Sequence, residues 1–229
     1  MAAPIRIISS MATRQMLADL VALFEQASAQ AVALESVGGV DAARRVQAGE
    51  AFDAVVLASD AIEGLIAQRR IVPGSRVDLV RSGVSIAVRA GAARPDIATE
   101  AAVRQAVLAA AGVGYSTGPS GTQLMRLFER WGIAEMIAPR LVQAPPGVPV
   151  GALVAEGQVE LGFQQHSELM HLQGIDVVGP LPPAIEIITT FSAGLASASS
   201  RPEAVRAMLA FMASPATAQA KRDHGMVPA

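Results

Sequence analysis

Apolar residues recur along the chain in two alternating rhythms, short runs that read as strands and stripes at spacings of three and four that read as helices. Ile5 to Ile8 form a first strand ending in Ser9 and Ser10, and Leu17, Leu20, Val21 and Phe24 then mark the inner face of a helix. Residues 31–36 make a second strand closed by Gly38 and Gly39, a short helix over 41–47 stops at Gly49, and residues 52–58 are almost wholly apolar. Such a run is expected of a parallel strand covered by helices on both sides. Ser59 is placed to cap a helix over 60–68. Residues 77–80 and 84–89 read as extended, broken at Arg81-Ser82-Gly83.

The second half repeats the alternation. An alanine-rich helix over 100–110 leads to a strand at Val113 and Tyr115, then to a polar loop punctuated by Gly118, Pro119 and Gly121. The next helix is expected to begin at Ser120, with Gln123 reaching back as in a capping box, and to bury Leu124, Leu127, Phe128 and Trp131 before stopping at Gly132. A short helix near 134–138, a strand at Leu141-Val142 and a Pro145-Pro146-Gly147 turn follow. Then come a helix over 149–155, a strand over 159–165, a brief helix over 166–172, an extended piece over 175–178 and a long extended run over 185–197. Ser200 with Glu203 reads as a capping box, with Pro202 in the first turn and Val205, Met208, Leu209 and Met212 facing inward. Ser214-Pro215 opens a last helix ending near Gly225, on which Lys221 and Arg222 are expected to face solvent.

Residues 46–59, VQAGEAFDAVVLAS, and residues 154–167, VAEGQVELGFQQHS, follow one plan at an offset of 108. Each is preceded by a strand, a serine-bearing loop and an amphipathic helix. Two open α/β units would gather their ligand loops at the carboxyl ends of the strands, namely Ser9–Thr13, Ser36–Asp41, Ser116–Thr122 and Gln164–Ser167. The fold class read from this order is α/β with two lobes, each an open sheet flanked by helices, and a cleft between them. The extended stretches 77–89 and 185–197 are the crossings. Lobe one is then 1–81 with 190–229, lobe two is 82–189, and Arg81, Ser82 and Ser85 fall at or near the hinge.

Composition narrows the function. Aromatic residues are 3% and the formal net charge is −2, so stacking on bases and a basic nucleic-acid face are both disfavoured. With no cysteine there is no thiol nucleophile, thiolate metal site or disulfide. No stretch approaches the length of a membrane span, so membrane insertion is not expected. The first ten residues carry no basic segment followed by an apolar one. The expected location is periplasmic if a leader has been removed and cytoplasmic otherwise.

The loop at 116–122 places exposed N–H groups and the positive end of a helix dipole where an anion would sit. Its rival reading is a ligand-free connection. The loop lacks the lysine of a phosphate-binding P-loop and the glycine spacing of a dinucleotide fold, so no nucleotide cofactor is expected. Ser116 and Ser120 lie in no G-x-S-x-G elbow, which argues against a hydrolase. Arg14 points either to a ligand or to solvent, and Arg81 pairs with either a ligand carboxylate or a structural acid. His166 is either a proton-transfer group or an ordinary surface histidine. No histidine and carboxylate cluster has metal-ligand spacing, so no metal is expected.

The segments IISSMATRQM, GGVDAARRVQAGEAFDAVVLAS, YSTGPSGT, VGALVAEGQVELGFQQHSEL and SPATAQAKRDHGM resemble, in this order, the type 2 periplasmic solute-binding proteins. The similarity is to the branch of the molybdate-binding protein of ABC transporters, and it spans nearly the whole chain. It implies a small anion, an oxyanion or polycarboxylate, held by hydroxyls and backbone amides, with a transporter permease as partner. Ser10 matches the first-loop serine, with Ser9 and Met11 beside it, and Gly39 falls where a second serine belongs. Ser120 or Pro119 matches a helix start, within Ser116, Thr117, Gly118, Gly121 and Thr122. Val148 matches a backbone donor, and Gln164 or Gln165 the position of a tyrosine. YSTGPSGT and the glutamine pair also resemble members of the branch that contains aconitate isomerase. That implies an alternative, cis–trans isomerisation of a small unsaturated tricarboxylate, with His166, Glu168 or Arg14 assisting.

Overall fold

The computed structural model describes residues 3–229. Residues 1 and 2, where the reading of lobe one and of the leader begins, lie outside the described residues. The chain divides into two compact units, residues 1–81 with 190–229 and residues 82–189.

The first unit opens with β1 (Ile5–Ser10), α1 (Arg14–Ser28), β2 (Val32–Val37), α2 (Gly39–Gln47), β3 (Ala54–Ala58) and α3 (Ser59–Ala67). β1 lies parallel to both β2 and β3, with Ser9 opposite Ser36 on one side and Val56 on the other. Alternation sends Ile5, Ile7, Ala54 and Val56 toward α1, whose Met16, Leu17, Leu20 and Phe24 meet them. Ile8, Val55 and Leu57 go the other way, onto Ala42, Val46, Ile62 and Leu65 of α2 and α3. All five residues of β3 are buried, as the apolar run requires of a strand covered on both faces.

β4 (Val77–Arg89) carries the chain into the second unit, without the break expected at 81–83. There follow α4 (Glu100–Ala109), β5 (Val113–Tyr115), α5 (Pro119–Arg130), α6 (Ala134–Ile137), β6 (Leu141–Gln143), α7 (Val150–Ala155), β7 (Leu161–Gln165), α8 (His166–Leu169) and β8 (Ile175–Pro180). β5 is parallel to β6 and β7, and β7 is antiparallel to β4. One face carries Val84, Ile86, Val113, Leu161 and Phe163 against Val103, Val107, Leu124, Leu127 and Phe128. The other is covered by α7 through Val150, Leu153 and Val154. Gly162 permits this approach, because a Cβ there would sit 3.1 Å from Val150 Cγ1 and closer still to Val154.

β9 (Ile188–Leu195) returns the chain to the first unit, antiparallel to β3, and α9 (Pro202–Ala213), α10 (Ala218–Asp223) and β10 (Val227–Pro228) complete it. The strand orders β2-β1-β3-β9 and β6-β5-β7-β4 follow the same plan in the two units. Their shared order is the structural counterpart of the sequence echo.

Several local readings are corrected. α5 starts at Pro119 with Gly118 as its N-cap, and α9 starts at Pro202 with Arg201 as its N-cap, neither capped by a side chain. Proline has no N–H to satisfy and a helical φ, so it takes the first position and moves the cap off Ser120 and Ser200. Ser59 is likewise the first residue of α3 and caps nothing. Lys221 is 1% exposed. It lies on α10, which packs against α1 and β10, and burial holds its ammonium below the usual lysine range. The extended run expected over 185–197 is β9 from Ile188 to Leu195, and the run's first residue, Ile185, closes a 3-10 turn over Pro183–Ile185.

Candidate functional site

In the first unit the polar residues collect at the carboxyl end of β1. Ser9 is fully buried, its Oγ 2.7 Å from Ser36 Oγ across the parallel pair. Ser10 ends the strand, with its Oγ 3.4 Å from Thr13 Oγ1. Gly39 opens α2 beside it, where an added Cβ would lie 3.5 Å from Ser10 Cβ. A serine at 39 would therefore stand next to Ser10, and here its hydroxyl is missing. Met11 is half-buried, whereas Arg14 and Arg81 are exposed. Arg81 forms no ion pair among the described residues, and its backbone pairs with Val227 of β10.

In the second unit the carboxyl ends of β5 and β7 come together because Tyr115 lies opposite Phe163. The Ser116 loop therefore begins where Gln164 and Gln165 end β7. Ser116 Oγ is 3.1 Å from Ser120 Oγ, tying the loop to the first turn of α5. The first intrahelical bond is Thr122 N–H to Gly118 O at 3.2 Å. The amides of Ser120 and Gly121 precede it and face the loop at the positive end of the dipole. Thr117 and Thr122 are exposed.

Gly121 is needed for this geometry, since any Cβ would overlap the Ser116 carbonyl oxygen and touch Tyr115. Replacing Gly121 with alanine is expected to destabilise the protein by about 1–3 kcal/mol in denaturant unfolding. A midpoint equal to that of the wild type would contradict this placement.

Two expected ligand contacts are already engaged. The Val148 amide donates to Pro145 O at 3.0 Å, closing the Pro-Pro-Gly turn, so it is no free donor, and its side chain is exposed. Gln164 Oε1 accepts from the Val150 amide at 2.7 Å, at the start of α7, and its amide also hydrogen-bonds Glu168. Gln164 is thus a buried bridge between α7 and α8. Gln165 points to the opposite face, where its Nε2 donates to Thr189 Oγ1 at 2.7 Å.

The titratable groups lie just beyond. Burial pushes the Glu168 carboxyl up to about 7, and the hydrogen bond from Gln164 opposes that shift only in part. His166 is half-buried, and burial, then the nearby His171, hold its imidazole below the usual histidine range. Its Nδ1 lies 3.1 Å from the buried Ser85 Oγ. A neutral imidazole and a carboxyl near half-ionisation at pH 7 are chemically suited to taking a proton and returning it. Among the described residues no group of three histidine or carboxylate side chains could hold a metal ion, and no helix is long and apolar enough to cross a membrane.

Sequence reasoning named Ser85 only as a hinge residue and missed Thr189. Thr189 had one signal, a threonine pair interrupting an otherwise apolar run. The Ser85–His166 contact joins positions 81 apart and depends on the β4–β7 register, which no local pattern shows.

Residues 5–227 match the family described as bacterial extracellular solute-binding protein. An aconitate isomerase of a Pseudomonas species is 40% identical over 187 residues, spanning 80% of this chain and 70% of that protein. Among solved structures, the periplasmic molybdate-binding protein of Azotobacter vinelandii superposes with a TM-score of 0.80 at 17% identity, covering 97% of this chain and 98% of that one. The sulfate-binding protein of Mycobacterium tuberculosis gives 0.79 at 13% identity, covering 99% and 87%. The tungstate-binding protein of Desulfovibrio alaskensis gives 0.68 at 16% identity, covering 99% of each chain. The chain belongs to the bacterial extracellular solute-binding protein family and has the two-lobed α/β fold of type 2 periplasmic binding proteins, with open sheets flanked by helices.

Proposed function

We propose that the protein binds a small anionic solute, specifically an unsaturated polycarboxylate of the aconitate class, and shifts its double bond by moving one proton. The observation that carries this reading is the Glu168 carboxyl, held near neutrality by burial and oriented by Gln164. The 40% identity with the Pseudomonas aconitate isomerase supports this substrate class.

The chemistry balances without a cofactor. Glu168 as carboxylate takes a proton from the methylene carbon, and the C–H electron pair becomes the new C=C bond. The former π pair takes the proton back at the old vinyl carbon. Because the aconitate skeleton is symmetrical about its central carbon, the product has the same constitution and differs only in geometry. The ligand's own carboxyls delocalise the charge, and neutral donors at the carboxyl end of β5, the Ser116 and Ser120 hydroxyls and the α5 amides, stabilise it. His166, steadied by Ser85, stands as the second proton carrier.

Incubating the protein with trans-aconitate and following the vinyl and methylene signals by NMR tests this. Appearance of cis-aconitate is expected, and binding without conversion would leave only the second reading. That reading is a solute carrier serving the permease of an ABC transporter outside the cytoplasmic membrane. It is favoured by the Ser116–Ser120 turn and the first α5 amides, which need no proton carrier to hold an anion.

A further inference from the structure

Two buried side-chain atoms without a hydrogen-bond partner among the described residues, Ser82 Oγ and Gln165 Oε1, belong to one face of the second unit's sheet. Val84 lies opposite Gln165 in the antiparallel β4–β7 pair, so their side chains share a face, and Ser82, two residues earlier on β4, returns to it. Thr189 reaches the same amide with its Oγ1 2.7 Å from Gln165 Nε2. The three residues are 1%, 3% and 5% exposed. Buried polar atoms are normally satisfied, and two unmet valences on one face point to a group that meets them.

The polarity of that group follows from the amide. A threonine hydroxyl donates or accepts equally well, and the two ends of a glutamine amide exchange by a half-turn. With Thr189 donating to Oε1, the NH2 of Gln165 turns to the side where no described residue meets it, and the Ser82 hydroxyl adds a second donor.

We propose that Ser82, Gln165 and Thr189 form a charge-neutral subsite for one carboxylate oxygen of the ligand, with Gln165 NH2 and Ser82 O–H donating to it and Thr189 O–H fixing the amide. This rests on the polycarboxylate reading and deepens it. Two neutral donors match a single carboxylate oxygen, and an amide restrained at its far end gives them direction.

The test is calorimetric binding of trans-aconitate to the full chain, with melting temperature measured alongside. Gln165→Leu and Thr189→Val are each expected to weaken binding about 10-fold. The double variant should be no weaker than Gln165→Leu alone, because Thr189 acts through the amide. Thr189→Ser, which keeps the hydroxyl, should bind like the wild type, and Ser82→Ala should lose several-fold. Unchanged affinity in Gln165→Leu, whatever its melting temperature, would overturn the subsite and leave the polycarboxylate reading standing. Losses that add fully in the double variant, or a failure of Thr189→Ser to restore affinity, would overturn it as well. A wild type that binds no polycarboxylate removes both.

Discussion

Replacing Glu168 with glutamine is expected to lower the rate of the proposed isomerisation by about 10²–10⁴-fold while changing substrate affinity little, because the amide keeps the size of the side chain and cannot carry the proton. The pH dependence follows from the same burial. A carboxyl raised to about 7 is mostly protonated at pH 5.5 and mostly ionised at pH 8. Turnover that needs the carboxylate should therefore rise through neutrality in the wild type. Loss of this rise in Gln164→Leu, or its displacement to higher pH, would identify the bond that holds the carboxyl down.

Stability should run the other way. The folded-state value lies above the ordinary value of 4.5, so between the two the folded protein holds a proton that the unfolded chain has released. Stability attributable to Glu168 is then intact below pH 4.5 and is lost as pH rises through 7, by up to about 3 kcal/mol. Glu168→Gln should thus raise the melting temperature at pH 8 and leave it nearly unchanged at pH 4.5. Equal melting temperatures at pH 8 would mean that the carboxyl is not buried as described.

Phe128→Ala should have the largest effect on stability. Phe128 is fully buried, edge-on to Phe163 with ring centroids 6.1 Å apart at 83°, and 5.9 Å from Trp131. Deleting a buried phenyl ring costs about 3–5 kcal/mol. The consequence reaches the site because Phe163 precedes Gln164 on β7, so a slackened ring pair loosens the strand that orients Gln164 and Gln165. The chain has one tryptophan, Trp131, the C-cap of α5 in the second unit, so its fluorescence reports this core directly. An unfolding free energy lowered by less than about 1 kcal/mol would contradict the packing, since full burial leaves no way to avoid the loss.

The strand and helix order was legible because the core strands carry uninterrupted apolar runs and the helices keep their stripes. What escaped was decided by contacts between distant residues. The polar stretch Arg81-Ser82-Gly83 looks like a break, yet β4 continues through it as its partners change from β10 to β7 and β8. Ser120, just after Pro119, and Ser200, two residues before Pro202, look like caps, but proline's fixed φ sets the helix start itself. Lys221 sits in a charged run that reads as solvated and is nevertheless buried on α10.

The candidate site divides in the same way. The serine-bearing turns at 9–10 and 116–120 announce themselves by glycine, proline and helix-start chemistry. Strand alternation says that Gln164 and Gln165 face opposite sides, but only the positions of Val150 and Thr189 show what each meets. Glu168 is nominated by the family resemblance, yet by local pattern it follows a histidine and a serine in a short helix and looks like any exposed acid. Its role depends on burial that no neighbouring residue in the sequence reveals.

The central claim is that this protein moves a proton within a bound polycarboxylate. Proton NMR of trans-aconitate with the protein in deuterated buffer near pH 7.5 addresses it most directly. The account predicts cis-aconitate accumulating together with deuterium at the methylene carbon, both slowed by about 10²-fold or more in Glu168→Gln. A spectrum that keeps its original signals, with no broadening and no deuterium uptake at saturating protein, would contradict it.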